Sequence, residues 1–349
     1  DDILLRALLQ GGTISREQAM SIPQVSADVG FVSDTFALIP VRLYKRVISG
    51  DTVKVTEIDD YRVTMINDDT KDALNGFEFK KALCQDFILD GAGYAFINND
   101  KNRTKSLNYV KNSSISILES NMDPIFKQQK INCNAHEYDT FRWIKLLRNT
   151  RDGASGVGIV IEISSALRTM FATLQYQLQL FEKGGNKKGF LKSKHKLNQD
   201  AIDQLKAAWS NLYSNNSENV VVLNDGIEFQ ESSNTSVEMQ MNEARKTLDG
   251  EIDNLFHISK DYNETIKKAI MPIGKAFTTA LNRDLLLEKE KGSYFFDLDY
   301  SELLKASQKE RFQSYSMAKS AGWITKNEIR QKENMETIEG LDTVDVGLG

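Results

Sequence analysis

The stretch ISSALRTMFATLQYQLQLFE, residues 163–182, decides how the chain is organised. Its apolar residues recur every three or four positions, so a helix places all of them along one face. These residues are Ile163, Leu167, Met170, Leu174, Leu178 and Phe181. Arg168 is the one basic residue of the stretch, and a helix with so little charge is typically packed on several sides. The pattern predicts a rod about 30 Å long.

A second rod is predicted from VEMQMNEARKTLDGEIDNLFHI, residues 237–258. Its apolar stripe consists of Met241, Ala244, Leu248, Ile252 and Leu255. Its remaining faces are acidic and carry Glu243, Asp249, Glu251 and Asp253. Two such rods cannot bury both sides of their stripes alone, so they need neighbours, and further copies of the chain are the simplest neighbours.

The segment between the rods is basic and begins as a loop. No acid occurs from residue 183 to residue 199, where His195 accompanies the lysines Lys183, Lys187, Lys188, Lys192, Lys194 and Lys196. A helix at 198–213 and a strand within 218–231 are expected to follow. A solubilising loop is the plainer interpretation of this charge, and docking against an acidic protein or DNA is the functional one.

The region before residue 158 has the pattern of an α+β lobe. A helix is predicted within 25–39 and a second at 75–89, each from an apolar stripe at helical spacing. VRLYKRV and TVKVTEI flank the turn ISGD and predict a hairpin, and short strands follow, including YDTFRWIKLL at 138–147. Later in the chain, a helical pattern runs through IKKAIMPIGKAFTTALNRDLLLEKEK (266–291), and Pro272 inside it predicts a kink. YFFDLDY at 294–300 predicts a strand.

Near the C-terminus, AGWITKNEIR (321–330) predicts a corner between two helices. Gly322 suits the end of the first helix, and Thr325 with Glu328 forms a capping box for the second. A helix–turn–helix DNA reader within 301–332 is the alternative. It is disfavoured because five acids and no base follow Lys332, and duplex DNA repels such a tail.

Composition excludes several classes of function. The 349 residues carry a net charge of −5, whereas a protein that grips nucleic acid over a wide face is usually basic. No apolar run approaches the roughly 20 residues that span a bilayer, so no membrane contact is expected. Cys133 and His136 have only half of a zinc-site spacing, and no phosphate loop or nucleophile motif occurs. We therefore expect no enzyme activity, no cofactor and no metal.

The order of these segments resembles the portal proteins of long-tailed bacteriophages, the head-to-tail connector family. The resemblance spans nearly the whole chain, and its landmarks are SIPQVSADVGFVSDTFALIPVRLYKR (21–46), LQLFEKGGNKKGFLK (178–192), LDGEIDNLFHIS (248–259), IMPIGKAFTTALNRDLLLEKEKGSYFFDLD (270–299) and AGWITKNEIR (321–330). It implies an α+β fold with a mixed α/β wing, a two-helix stem, a small α/β clip and a helical crown. The implied bounds are wing 1–158 and 265–299, stem 159–184 and 237–258, clip 185–236, tunnel loop 259–264 and crown 300–349.

The resemblance also implies a function. Family members form twelve-fold rings at one capsid vertex, where the terminase motor docks and DNA enters, and the clip later joins the head-to-tail adaptor. The expected partners are other copies of the chain, the terminase large subunit, the head–tail adaptor, the major capsid and scaffold proteins, and double-stranded DNA. The expected location is the virion, after assembly in the host cytoplasm.

Roles for particular residues follow from the same resemblance. The acidic stem residues would face the channel and keep the duplex centred by repelling phosphates. The clip lysines would form the docking surface. The tunnel loop would present Ser259, Lys260, Asp261, Tyr262 and Asn263 to the channel. This loop lacks the glycine and proline that are usual in the family, so we expect it to be short.

Overall fold

The structure is a computed structural model of the chain. It describes residues 13–49, 52–101, 103–119, 125, 128–182, 189–193, 199–200, 202–204, 227–231, 235–301, 303–304, 308–333 and 335–344.

The described helices are numbered in chain order. They are α1 (Arg16–Met20), α2 (Pro23–Leu38), α3 (Tyr61–Asn67), α4 (Gly76–Leu89), α5 (Ile159–Glu162), α6 (Ser164–Glu182), α7 (Thr235–Leu255), α8 (Tyr262–Thr265), α9 (Met271–Asp284), α10 (Gln308–Ser320) and α11 (Lys326–Lys332). A π-helical turn, Ile266–Ile270, joins α8 to α9.

The described strands form four small antiparallel sheets. They are β1 (Val41–Ser49), β2 (Thr52–Ile58), β3 (Ala92–Asp100), β4 (Arg103–Val110), β5 (Ile115–Glu119), β6 (Gln129–Cys133), β7 (His136–Asp139), β8 (Trp143–Leu147), β9 (Gly189–Ser193), β10 (Ile227–Glu231) and β11 (Tyr294–Leu298). The sheet orders are β11-β1-β2, β4-β3-β8, β5-β6-β7 and β10-β9. This mixture of helices and small sheets confirms the predicted α+β class.

The core of the lobe lies between α2, α4 and α9. The helical stripe expected within 25–39 is fully buried, and so are Phe79 and Leu83 of α4. Phe36 of α2 meets Phe277 of α9 edge to face, with ring centroids 5.4 Å apart. Because α9 lies far along the sequence from α2 and α4, the chain must return to this lobe after the long helices α6 and α7.

The return is fixed by strand pairing. β11 pairs with β1 from Val41↔Leu298 to Lys45↔Tyr294, so the last strand of the lobe is a neighbour of the first. The side-chain amide of Asn282 donates to the Phe296 carbonyl at 3.0 Å and accepts from the Phe296 N–H at 2.6 Å. This pair of bonds joins α9 to the strand beside it.

Two predictions about strands and helix ends were wrong. YDTFRWIKLL is divided between β7 and β8 by a 3₁₀ turn, Thr140–Arg142, and β7 and β8 belong to different sheets. The helical pattern expected through LLLEKEK ends at Asp284. Leu285 and Leu286 are buried beyond this end, so their apolar character reflects packing in a turn.

The expected distortion at Pro272 takes the form of the π-helical turn. The N–H of Met271 donates to the carbonyl of Ile266, a spacing of five residues. Pro272 then lies in the first turn of α9, where a missing backbone donor costs little.

The half zinc-site spacing of Cys133 and His136 has a structural explanation. The two residues face each other across the β6–β7 ladder. They flank Asn134 and Ala135, whose φ angles of 47° and 69° form a tight two-residue hairpin turn. Among the described residues no group of three potential metal ligands occurs.

Candidate functional site

Helices α6 and α7 are buried where they join the lobe, and α6 exposes Leu178 further out. Leu167, at the start of α6, is completely buried and Met170 nearly so, whereas Leu178, further along the same stripe, is 58% exposed. On the returning helix, Ile252 is 2% exposed and packs in the lobe core. Among the described residues, the apolar face of α6 is therefore covered at Leu167 and Met170 but not at Leu178.

The two helices contact each other directly. Arg245 of α7 donates from Nη1 to Oε1 of Gln177 on α6 at 3.0 Å. The Nε of Arg245 also lies 3.9 Å from an Oδ of Asp249, one helical turn further on. Arg245 thus contacts α6 through Gln177 and lies beside Asp249 within its own helix.

The four acidic residues of α7 that were predicted to face the channel do not share one environment. Glu243 and Glu251 are exposed, whereas Asp249 and Asp253 are half-buried. Asp253 accepts a hydrogen bond of 2.5 Å from Nε2 of Gln24 on α2. Asp253 therefore contacts its own lobe in the single chain, and the channel-facing role of the four acids stays a prediction. Glu243 and Glu251 are the two of these four whose exposure fits an open acidic surface best.

The segment expected to form a loop at 259–264 is shorter than predicted. Asp261 caps α8 by accepting from the N–H groups of Asn263 and Glu264, so Tyr262 and Asn263 already lie in a helix. The Ser259 N–H donates to Thr265 Oγ1 at 2.9 Å and closes the turn. Ser259, Lys260 and Asp261 alone form the exposed connection. The loop ends early because Asp261 caps the helix that follows. The sequence signal for this cap is DYNE, residues 261–264.

Most of the basic run lies outside the described residues. This applies to Lys183, Lys187, Lys188, Lys194 and Lys196. The backbone of Lys192 belongs to β9 and stands opposite Glu228 of β10 in an antiparallel pair. The helix expected at 198–213 also lies largely outside the described residues.

The C-terminal corner is built as the sequence predicts. Gly322, at φ 72°, follows α10, and Thr325 and Glu328 form the capping box of α11. Asn327, at the start of α11, is buried because its amide donates to the Ile338 carbonyl and to Asp342. The structural interpretation of this corner is confirmed.

The same corner is poorly suited to reading DNA bases. Two polar side chains that a recognition helix would need, Asn327 and Arg330, bind the chain's own C-terminal segment. Arg330 donates from Nε to the Glu336 carbonyl at 2.7 Å. A base-reading helix must keep such donors open toward the major groove. The alternative of a DNA-binding regulator therefore gains no support from this geometry.

One buried acid was missed by the sequence analysis. Asp28 of α2 is only 4% exposed and accepts from Nε2 of Gln24 at 3.0 Å. Burial and the neighbouring charge of Asp253 raise its pKa to about 7. A signal was present, since Asp28 lies three and four positions from Val25 and Val32 and so shares their buried face.

None of the described helices combines the length and the apolar character that a bilayer crossing requires.

The paired helices, whose bases pack in a lobe of helices and small sheets, define the chain as an α+β protein with a pair of long helices. Comparison with known proteins narrows this class. The chain belongs to the phage portal protein family, whose family model matches residues 23–334. Members of this family are structural, non-enzymatic capsid components. The resemblance read from the sequence landmarks is therefore confirmed.

Solved structures share the fold at low sequence identity. A crystal structure of an HK97-family phage portal protein from Corynebacterium diphtheriae has a TM-score of 0.60 at 14% identity, covering 85% of this chain and 99% of that one. A chain from the neck of an empty gene transfer agent particle has a TM-score of 0.58 at 13% identity, covering 97% and 100%. A chain from the neck of the native particle, computed with C12 symmetry, has a TM-score of 0.55 at 12% identity, covering 96% and 99%. No curated protein matches the chain.

Proposed function

We propose that this chain is the subunit of a homo-oligomeric portal ring, a dodecamer, at one vertex of a phage capsid. Double-stranded DNA passes through this ring during packaging and ejection. The family membership supports the proposal, and so do the neck chains of similar fold. The observation that carries it is the apolar stripe of α6, which is buried at Leu167 and Met170 and exposed at Leu178.

The exposed stripe of α6 would be covered by the next copy in the ring. Contact between a leucine side chain and water is unfavourable. Packing against an identical neighbouring chain would remove the leucine from water and so favour association. Leu178 is the described residue best placed to report this contact, because it is exposed in the single chain while Leu167 on the same stripe is not.

The test is ring formation by a Leu178→Glu variant, measured by mass photometry of the full-length protein at micromolar concentration. A buried carboxylate without a partner strongly opposes association, so rings should give way to monomers. The control is Leu118→Glu, which adds the same charge at an exposed leucine of β5, away from the helix pair. Rings from the Leu178 variant at the wild-type level would contradict the proposed interface.

The channel role of α7 is proposed for Glu243 and Glu251, which are exposed, whereas Asp249 and Asp253 are half-buried. Exposed carboxylates facing a duplex repel its phosphates and keep it from adhering to the wall. The double variant Glu243→Lys/Glu251→Lys should form rings but package less nuclease-protected DNA. Glu137→Lys, at an exposed position on β7, is the control, and unchanged packaging by the double variant would refute the sliding role.

The turn Ser259–Asp261 is proposed to reach the channel, with Lys260 touching phosphates weakly. A photo-crosslinking side chain at position 260 should label packaged DNA, and one at Lys54, exposed on β2, should not. Equal labelling from both positions, or none from position 260, would contradict this placement.

Docking completes the proposal. The lysine-rich tip between α6 and α7 would meet acidic surfaces of the terminase large subunit and later of the head–tail adaptor, and the lobe would contact the major capsid and scaffold proteins. The ring would be assembled in the host cytoplasm and become part of the virion. Replacing Lys187 and Lys188 by Glu should weaken terminase binding to assembled rings in a pull-down, and undiminished binding would exclude these lysines from the surface.

A further inference from the structure

The junction between the lobe and the returning helix contains two carboxylates bridged by one amide. Nε2 of Gln24 donates to Oδ1 of Asp28 at 3.0 Å and to Oδ1 of Asp253 at 2.5 Å. Gln24 and Asp28 belong to α2 in the lobe, and Asp253 belongs to the last turns of α7. The side-chain amide of Gln24, which belongs to the lobe, therefore holds the base of α7 through its hydrogen bond to Asp253.

One carboxylate oxygen of Asp28 lacks a hydrogen-bond donor in the part of the chain that the structure describes. Asp28 is 4% exposed, and no hydrogen-bond donor among the described residues reaches its Oδ2. An ionised carboxylate buried with an unsatisfied oxygen is costly, because it loses hydration that nothing replaces. Protonation of Asp28 makes its carboxyl group neutral, so the desolvation cost of a buried charge disappears. The new O–H group can then donate a hydrogen bond to the carboxylate of Asp253.

The surrounding charges do not neutralise Asp28. From α7 it faces Asp253 and Asp249, both acidic, and the base nearest to them, Arg245, is engaged by Asp249 and Gln177. On the other elements packed against α2, the basic side chains make contacts elsewhere: Arg16 with Asp86 and Asp90, Lys80 with the Ile39 carbonyl, Lys81 with Asp34, and Lys268 with Glu264, while Lys267 is exposed.

We infer that Gln24, Asp28 and Asp253 form a proton-dependent latch that holds the base of α7 against the lobe when Asp28 is protonated and loosens when Asp28 ionises. The latch goes beyond the proposed ring function, since it regulates how firmly one chain holds its own projecting helix. It acts whether the chain is alone or assembled.

The direction of the pH dependence follows from the raised pKa of Asp28. Burial, with the charge of Asp253 added to it, raises that pKa to about 7. The closed junction, with α7 held against the lobe, therefore binds a proton that the open junction, with α7 released, gives up. The stability of the closed junction is highest at low pH and falls as pH rises from the ordinary aspartate range toward 7. With an open-state pKa of about 3.9, the opening constant of the junction should rise about tenfold between pH 6 and pH 8.

The test is hydrogen exchange of the full-length protein at pH 6 and pH 8, with intrinsic exchange rates divided out. The amides of 249–256 in wild-type protein should show about tenfold lower protection at pH 8. Asp28→Asn keeps a neutral donor beside Asp253, so its protection should be the same at both pH values. Asp59→Asn, which neutralises an exposed acid before α3, should behave as wild type.

A second variant keeps the inference falsifiable if Asp28→Asn does not fold. Asp253→Asn removes the neighbouring charge but leaves the burial that is the main cause of the raised pKa of Asp28, so the difference in protection between pH 6 and pH 8 should become smaller than in wild type. Protection that is independent of pH in wild type, or that falls equally in wild type and both variants, would overturn the latch.

Discussion

Replacing Arg62 tests whether a buried ion-pair network joins α3 to the turns between α9 and β11. The guanidinium of Arg62, at the start of α3, donates to both oxygens of Asp60 at 2.9 Å and to both oxygens of Glu290 at 2.8 and 3.1 Å. Asp60 precedes α3, and Glu290 lies in the turns between α9 and β11. Burial alone would lower the pKa of Arg62, but the two carboxylates raise it above its ordinary value.

The magnitude follows from what Arg62→Ala leaves behind. Removing one member of a buried ion pair costs about 3–5 kcal/mol, because the remaining charges stay desolvated. The side chains of Asp60 and Glu290 are 17% and 20% exposed, so water partly reaches them and the lower end, about 3 kcal/mol, is expected. Arg62→Lys keeps the charge but not the planar fork that serves two carboxylates, so its loss should be intermediate.

The assay is urea unfolding followed by circular dichroism, with Arg42→Ala as the matched control. Arg42 pairs with Glu57 at 3.0 Å, but their side chains are 40% and 52% exposed, so the control should lose less than about 1 kcal/mol. A loss for Arg62→Ala no larger than that of Arg42→Ala would refute the bridging role. A lysine variant as unstable as the alanine variant would show that fork geometry rather than charge carries the effect.

Three further substitutions test local features of the fold. Thr325→Ala removes the cap of α11 and should cost about 1 kcal/mol, seen as faster hydrogen exchange of residues 326–332, and unchanged exchange would contradict the capping role. Gly76→Ala would place a methyl group 2.2 Å from backbone atoms of Asn67, so a loss of about 1–3 kcal/mol or more is expected in urea unfolding, and a neutral effect would show that this contact yields easily. Asn282→Ala strands the N–H of Phe296 and should cost about 1–3 kcal/mol in the same assay, whereas a loss below the error of the measurement would mean that water replaces the amide.

The helices that carry the lobe were predictable because their apolar spacing is local information. The stripe from Val25 to Ile39 and the helix that carries Phe79 needed only a period of 3.6 to be recognised, and both are buried as expected. The capping box at Thr325 was equally visible, since its two partners are three residues apart.

What sequence could not supply was the identity of distant partners. Asp253 was assigned to an open face because nothing along α7 indicates that α2 covers it with Gln24. The strand expected across 138–147 was broken because an alternating pattern does not mark where Trp143 leaves one sheet for another. The contact of Asp253 and the change of sheet before Trp143 both depend on elements far apart in the chain, where tertiary packing overrides local preference.

The pairing of β11 with β1 sets the order in which the protein can mature on the ribosome. β1 emerges early and finds β2 at once, but its second neighbour is made only after both long helices and the tip between them. At about 5–20 residues per second, β1 therefore keeps one unpaired edge for tens of seconds. Exposed strand edges invite wrong partners, so nascent chains crowded on one messenger are most vulnerable in this interval. A chain cut short before Tyr294 would keep that edge permanently, and it should be lost to aggregates or proteases before it meets another subunit.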